Sequence, residues 1–340
     1  MLMTSIVNFH YKIMQNQTIV GIDISNLTLD ICIRKDNQNQ AFIIKNEVKT
    51  ILQFFRSYQK EELLIAMENT GRYNWALYEA LGQLHHHRVF VVPALHIKKS
   101  IGLVRGKSDK ADALRIALFI EKHHHDLPEW KPSPVVIEKI KILLTERTYR
   151  MKIKRQLLSQ KADYPKMKKL GLDKSLLAMN KKMTALANEQ IKQIELAIQD
   201  HIRTDEQLSK QAALIRSVPG VGKVLCWMML AKTAGFTTIT EPRKMACYSG
   251  VVPFDHQSGT SIRGKSKVSV YADKAIKSVL HLAAMSAIRL KNDLGEYFRR
   301  KVHEGKNKMS VLNAVRNKII HRIFAVIKNE IPYQNHLILS

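Results

Sequence analysis

Apolar residues in the first 130 positions follow two different spacings. Three short runs rich in β-branched residues on tight connections predict an antiparallel meander, at 18–25, 27–36 and 40–47. Helical spacing then alternates with short apolar runs that suit buried strands. The predicted helices are 48–58, 73–84 and 108–123, and the predicted strands are 62–69 and 88–97. Three strands, helix, strand, helix, strand, helix is the order of the ribonuclease-H-like fold, an α/β unit with a mixed sheet.

The pattern changes after Pro128, Pro132 and Pro134, where strand-like alternation stops. Lysine-rich amphipathic helix continues to about Arg203, and a break near Lys169–Asp173 predicts an antiparallel helical hairpin. A compact, mostly helical region follows. The predicted organisation is an extension, an α/β domain, a helical hairpin (coiled-coil) linker and a C-terminal domain, at 1–17, 18–128, 135–204 and 205–332.

The chain is strongly basic, with 55 Lys and Arg residues against 29 Asp and Glu residues and a formal net charge of +26. Such a charge indicates a polyanionic partner, with nucleic acid ahead of an anionic membrane surface. No apolar run reaches the ~18 residues of a membrane span. Three widely separated cysteines argue against a disulfide framework or a zinc ribbon and fit a reducing cytoplasm, where we expect the protein to be associated with the nucleoid.

The positive charge is unevenly distributed. Residues 1–100 carry 11 basic and 8 acidic side chains, a balance of +3, whereas residues 101–340 carry 44 and 21, a balance of +23. Solvated lysine faces account for part of this excess, although they do not explain the asymmetry. A near-neutral front domain can gather acidic groups while the remainder binds phosphate.

Four carboxylates of the front domain stand at positions where they could form an acidic site. Asp23 lies inside an apolar strand and must be compensated for its desolvation, and Glu68 closes the apolar run LLIAM at the end of a strand. Asp109 and Asp112 share one face at the start of a helix. By itself this pair is explained by the helix dipole.

Taken together, the four positions predict a metal site. The fold order places the first strand beside the later parallel strand, with the last helix packed across both, so the carboxylates would converge and repel one another. Two Mg²⁺ or Mn²⁺ ions between them could activate a nucleophile and stabilise the leaving oxygen of a phosphodiester. Nearby basic residues could then contact the phosphates of the scissile strand: Arg105, Lys107 and Lys110.

Two segments of the C-terminal region carry further candidates. The sequence SVPGVGKVLCWMML at 217–230 predicts a helix-hairpin-helix in which Gly220, Gly222 and Lys223 contact a phosphate backbone, although a glycine pair is most often only a turn. Ser258 precedes a glycine, which by itself indicates an ordinary turn. A basic stretch that could bind phosphate follows it: Arg263, Lys265 and Lys267.

Several ordered motifs resemble one known family. GIDISNLTLDICI, AMENTGRYNWALYEAL, VVPALHIKKSIGLVRGKSDKADALRIALF, SVPGVGKVLCWMML and VVPFDHQSGTSIRGKSKVS resemble the DEDD transposases of the IS110 family of insertion sequences, relatives of the Piv DNA invertase. The resemblance covers roughly residues 18–330. It implies a RuvC-like N-terminal domain whose acidic positions fall on Asp23, Glu68, Asp109 and Asp112.

The resemblance also implies a mechanism and partners. Ser258 matches the serine that attacks the DNA backbone in this family, and the carboxylate–metal cluster and the serine would form one composite active site in a homo-oligomer, a dimer or a tetramer. The implied partners are DNA, as element ends and target, and a structured guide RNA from the element. Ala272 and Lys277 depart from the family, which commonly has glycine and arginine there. We interpret the histidine runs 85–87 and 123–125 as solvated surface.

Three functions remain open at this stage. The first is an insertion-sequence transposase that cuts and rejoins DNA strands with a divalent metal and a serine. The second is a RuvC-like Holliday-junction nuclease that uses water and no serine. The third is a catalytically dead nucleic-acid-binding protein, against which the retention of all four carboxylates argues.

Overall fold

The computed structural model describes residues 17–68, 71–101, 109–252, 254–258, 262–268 and 272–335, with the backbone alone for 72, 99, 101, 254–258 and 262–267. The chain divides into two compact units, Met1–Pro132 and Ser133–Ser340. The hairpin and the C-terminal region predicted from the sequence therefore belong to one unit.

The first unit is built on a five-stranded mixed sheet in the order β3-β2-β1-β4-β5. Strands β1, β2 and β3 form the predicted antiparallel meander, and β4 and β5 run parallel to β1. The strands are β1 (Thr18–Ile24), β2 (Thr28–Lys35), β3 (Gln38–Lys45), β4 (Leu63–Glu68) and β5 (Arg88–Val92). This order confirms the α/β unit with a mixed sheet.

Helices cover both faces of the sheet. They are α1 (Val48–Arg56), α2 (Trp75–Leu81), α3 (Ala94–Ile101) and α4 (Asp109–His123), with short 3₁₀ turns at Gly71–Asn74 and His124–Asp126. The predicted strand over 88–97 is wrong beyond Val92, because Pro93 ends the strand and the next residues form α3. A short apolar run does not by itself distinguish a strand from a helix.

Alternation along the strands separates two apolar layers. Val20 and Ile22 of β1 pack with α1 and α2 through Ile51, Phe55 and Leu77. The opposite face, which includes Ile19, Cys32 and Ala66, packs with α3 and α4. Because side chains in a strand alternate between faces, Asp23 lies on the same face as Ile19 and Gly21, the face that α4 covers.

Gly21 is the point where α4 approaches the sheet most closely. A β-carbon added to Gly21 would lie 2.2 Å from the carbonyl oxygen of Ala113 and 2.5 Å from the backbone nitrogen of Ala117. Only a residue without a side chain fits there. This contact places the first turn of α4, which carries Asp109 and Asp112, beside the end of β1.

The second unit is mostly helical. Its elements are α5 (Val135–Lys161), α6 (Asp173–Thr204), α7 (Glu206–Ser217), α8 (Lys223–Lys232), α9 (Pro242–Tyr248), β6 (Phe254–Ser258), β7 (Ile262–Lys267), α10 (Lys274–Ala287), α11 (Asp293–His303) and α12 (Lys308–Asn329). A 3₁₀ segment, Tyr164–Leu170, lies between α5 and α6.

Helices α5 and α6 pack against each other in opposite directions. Asn180 Nδ2 donates to the carbonyl oxygen of Leu157 at 2.9 Å near the turn, and Arg147 Nε pairs with Glu195 Oε1 at 2.7 Å farther from it. Contacts between residues at matching distances from the turn are those of an antiparallel hairpin.

The core of the second unit surrounds α12. Val315, Ile319 and Ile323 of this helix are fully buried, as are Ile276 and Leu280 of α10. Within the described ranges, no helix is both long enough and apolar enough to cross a membrane.

We expect Gly21→Ala to lower the melting temperature, and to lower the free energy of unfolding by about 1–3 kcal/mol, because the added methyl group meets backbone atoms of α4. Differential scanning calorimetry measures both. Gly222→Ala is the control, since a β-carbon there meets nothing within 4 Å. Equal melting temperatures for the two variants would contradict the importance of the Gly21 contact.

Candidate nucleic-acid cleavage site

Asp23 occupies the penultimate position of β1 and is only partly buried. Burial first, and then the negative charges of Asp112, Asp109 and Glu68, raise the pKa of its carboxyl to about 6. A hydrogen bond of 3.0 Å from the backbone nitrogen of Ile24 to Oδ1 acts in the opposite direction. The other three predicted carboxylates therefore lie close enough to Asp23 to act on its ionisation.

Topology accounts for this convergence. β1 and β4 are adjacent and parallel, with Ile22 opposite Met67, so Asp23 and Glu68 both stand at the carboxyl ends of their strands. Asp109 and Asp112 occupy the first turn of α4, which crosses the same face of β1. A helix N-terminus stabilises carboxylates, whereas their mutual repulsion destabilises them.

The donor chemistry fits a hard divalent cation. All four side chains offer carboxylate oxygens, the ligands that Mg²⁺ and Mn²⁺ prefer, and burial together with the three neighbouring carboxylates raises the pKa of Asp23. No three acidic, histidine or cysteine side chains in the described part of the chain are arranged to hold one ion. Asp112 Oδ1 instead accepts from Arg115 Nη1 at 2.5 Å. Metal binding would thus require a change in these side-chain positions.

A fifth carboxylate, Asp30, lies beside the four. It is directly opposite Asp23 across the β1–β2 pair, and it is 7% exposed. Burial raises the pKa of Asp30, Asp109 raises it further, and Lys110 lowers it. Asp30 is not among the acidic positions predicted from the sequence. The signal was present, because the run LTLDICI places an aspartate inside an apolar strand, as TIVGIDIS does for Asp23.

The structure describes one of the three basic residues that were predicted to lie beside the carboxylates. Lys110 is exposed in the first turn of α4, and its charge acts on Asp30. Arg105 and Lys107 lie outside the described residues.

The loop between α7 and α8 uses its two glycines differently. Gly220 has a φ of +81°, and an added β-carbon would lie 2.3 Å from the carbonyl oxygen of Ala283, so this glycine is required for packing against α10. Gly222 and Lys223 are exposed at the start of α8, and Lys223 Nζ donates to Gln199 Oε1 at 3.4 Å. Phosphate binding by this loop stays a prediction.

Ser258 is the last residue of β6. It stands opposite Ile262, the first residue of β7, and Gln257 stands opposite Arg263. Lys265 and Lys267 continue along β7. The serine and the basic stretch therefore belong to one antiparallel hairpin, of which the structure describes the backbone pairing.

The interpretation of the two histidine runs as solvated surface is wrong for one residue of each run. His87 is 8% exposed and its Nδ1 accepts from the backbone nitrogen of Leu63, whereas His124 is 3% exposed and its Nδ1 lies 3.1 Å from the carbonyl oxygen of Ile120. Burial lowers the pKa of both residues, to about 4 for His87. One histidine of each run is thus part of the core of the first unit.

Comparison with known proteins gives consistent matches along the chain. A model of DEDD transposases of the IS110 group matches residues 20–161, and a model described as Transposase IS116/IS110/IS902 family matches residues 212–299. The pilin gene-inverting proteins of Moraxella bovis and Moraxella lacunata are each 26% identical over 331 residues, or 95% of this chain and 99% of theirs. RuvC of T. thermophilus, solved with a Holliday junction substrate, aligns with 34% of this chain and 100% of its own, at 13% identity and a TM-score of 0.25.

We expect Asp23→Asn to stabilise the metal-free protein at pH 7–8 by about 1–2 kcal/mol, after allowance for solvent screening of a half-exposed group. The folded state raises the pKa of Asp23 from 3.8 to about 6, so ionisation costs stability above pH 6. The gain should shrink as the pH falls from 6 towards 4.

Chemical denaturation of both proteins across pH 4–8 measures this difference. The control is Asp126→Asn, which removes an exposed carboxylate. A gain for Asp23→Asn that does not vary with pH would contradict the electrostatic explanation.

Proposed function

The chain belongs to the IS116/IS110/IS902 family of transposases, as the motifs predict, and we propose that it cuts and rejoins DNA strands with a divalent-metal carboxylate site and a serine nucleophile. The observation that supports the metal part is the placement of Asp23 and Glu68 at the ends of adjacent parallel strands, with Asp109 and Asp112 in the first turn of the helix packed on β1. The charges of the other three carboxylates also raise the pKa of Asp23. The strand order of the first unit supports a ribonuclease-H-like, RuvC-like domain.

The carboxylates would hold Mg²⁺ or Mn²⁺. A divalent cation there would lower the pKa of an attacking oxygen and stabilise the charge on the leaving oxygen. Asp23 and Glu68 extend from the rigid ends of strands, and Gly21 positions α4 and therefore Asp109 and Asp112. Asp30 adds negative charge from β2, directly opposite Asp23. It would strengthen cation binding without being one of the four predicted ligands.

Ser258 would supply the covalent step. Its Oγ attacks the phosphorus of a DNA phosphodiester, the hydroxyl proton passes to a base, and the bond from phosphorus to the leaving deoxyribose oxygen breaks. The DNA end is then held as a phosphoserine ester, and attack by a second DNA hydroxyl releases the serine and rejoins the strands. A serine hydroxyl of ordinary pKa needs an activating base or metal, so the reaction requires both the carboxylates and the serine.

The basic residues would hold the nucleic acid. Arg263, Lys265 and Lys267 follow Ser258 along one hairpin, and Gly222 and Lys223 are exposed at the start of α8 as a helix-hairpin-helix would require. The excess of positive charge in residues 101–340 supports a second polyanion, which we propose is a structured guide RNA from the element. The relatives named pilin gene-inverting proteins support inversion or movement of a DNA segment as the outcome.

We expect Mg²⁺ or Mn²⁺ to raise the melting temperature of the wild-type protein, with a gain near 2.7 kcal/mol at a metal concentration of about 100 times Kd. Asp23→Asn should abolish the shift, and Asp30→Asn should weaken metal binding about 10-fold. Calorimetric titration with Mn²⁺ measures the affinities, and Asp126→Asn is the control. Unaltered Mn²⁺ affinity in Asp23→Asn would disprove the carboxylate site.

We expect Ser258→Ala to lower strand exchange by a factor on the order of 10³ or more, because the covalent step is lost. The assay measures joined products from labelled DNA carrying the element ends and target, with the RNA of the flanking non-coding segment added. A phosphoserine adduct should appear with the wild-type protein only. Junction cleavage by Ser258→Ala at the wild-type rate, without joining, would favour the water-using nuclease.

A further inference from the structure

Arg316 is a buried cation that no carboxylate in the described part of the chain neutralises. Its side chain lies between α12 and α10 and is only 7% exposed. Nη2 donates to His281 Nδ1 at 2.6 Å, and Nη1 donates to Asn313 Oδ1 at 3.3 Å. Nε is buried and has no hydrogen-bond partner among the described residues. Burying a charge without an ionic partner is costly, so such a group usually marks a missing counter-charge.

Two partly exposed cations of the same unit are neutralised by aspartates. Arg322, on the same helix as Arg316, pairs with Asp293, and Lys232 pairs with Asp273 at 2.9 Å. The absence of a comparable partner at Arg316 is therefore a local exception within the described residues. A purely structural arginine would be expected to have the kind of carboxylate that these neighbours have.

Two further basic groups accompany Arg316. Lys277 and His281 lie one turn apart on α10, both partly exposed, and burial together with the charge of Arg316 lowers the pKa of each. Because Arg316 donates to Nδ1, the His281 ring is neutral and carries its proton on Nε2. In this tautomer, His281 Nε2 can donate a hydrogen bond to an anion.

The three basic groups lie where the β6–β7 hairpin joins the helices. Asn313, which also accepts from Arg316, donates through Nδ2 to the carbonyl oxygen of Val251 at 2.6 Å, three residues before β6. A β-carbon placed on Gly250 would lie 3.8 Å from Lys277 Cδ and 3.1 Å from Val268, the residue after β7. Both ends of the hairpin that carries Ser258 are therefore next to this cluster.

We propose that Lys277, His281 and Arg316 form an anion site that binds one backbone phosphate of DNA at the base of the β6–β7 hairpin. This proposal rests on the proposed function, in which Ser258 of that hairpin attacks DNA. Lys277 supplies a charge to the phosphate, His281 Nε2 supplies a hydrogen bond, and Arg316 is a positioning residue that fixes the His281 tautomer. A phosphate held here would set the DNA backbone relative to the hairpin.

The salt dependence of DNA binding tests this site without catalysis. Full-length protein binds a fluorescent DNA duplex without metal, and affinity is measured from low to moderate salt. Lys277→Gln should weaken binding about 5-fold and reduce the slope of log affinity against log salt by about 1, since one phosphate contact is lost. Lys277→Arg should restore both values. His281→Gln should weaken binding while leaving the slope unchanged, because a neutral donor is removed.

The matched control is Lys328→Gln, which removes an exposed lysine near the far end of α12. Equal slope changes for Lys277→Gln and Lys328→Gln would overturn the site, since only general charge would then matter. A slope change seen with an RNA duplex and absent with DNA would overturn the assignment to DNA. This binding test does not depend on strand exchange. If the wild-type protein shows no strand exchange but Lys277→Gln still reduces the salt slope, the proposed function is rejected and the phosphate site is kept.

Arg316→Gln provides a second measurement. Circular dichroism and melting temperature establish that the variant is folded, and removal of an unneutralised buried charge should leave the melting temperature unchanged or higher. DNA affinity should nevertheless fall at least as far as in His281→Gln, because the His281 tautomer is released. A folded Arg316→Gln protein with wild-type DNA affinity and slope would contradict the positioning role.

Discussion

The crossing of α4 over β1 at Gly21 is the constraint on which the acidic site depends. The carbonyl oxygen of Ala113 and the backbone nitrogen of Ala117 occupy the space that any side chain at position 21 would need. Since Asp112 immediately precedes Ala113, this contact also fixes how close the first turn of α4 comes to Asp23. The packing of Gly21 in the core of the first unit therefore also determines the position of Asp112 relative to Asp23.

The acidic cluster is costly for the fold that carries it. Asp30 is buried, Asp23 is partly buried, and the remaining carboxylates raise the pKa of Asp23. Helix α4 offsets some of this cost through its N-terminus, and Arg115 offsets some through Asp112. What is left uncompensated is negative charge on carboxylate oxygens, the type of group that divalent cations prefer.

The second unit has the complementary imbalance. Most of the positive charge of the chain lies there, and at Arg316 this charge extends into the interior, where His281 and Asn313 take the place of a carboxylate. The same unit neutralises Arg322 and Lys232 with aspartates. The proposed binding of a divalent cation by the first unit and of phosphate by the second would each neutralise such an uncompensated charge.

The sequence by itself predicted the family and, apart from α3, the order of strands and helices in the first unit, because alternation, helical spacing and ordered motifs are local properties of a chain. The metal-binding role of the four acidic positions stays a prediction. The sequence did not reveal that PALHI begins a helix, that His87 and His124 are buried, or that Asp30 stands opposite Asp23. Those features, and the meeting of Lys277, His281 and Arg316 from two helices, depend on register and on packing between distant segments. Only the tertiary structure decides them, because burial and electrostatic neighbours are set by which elements pack together.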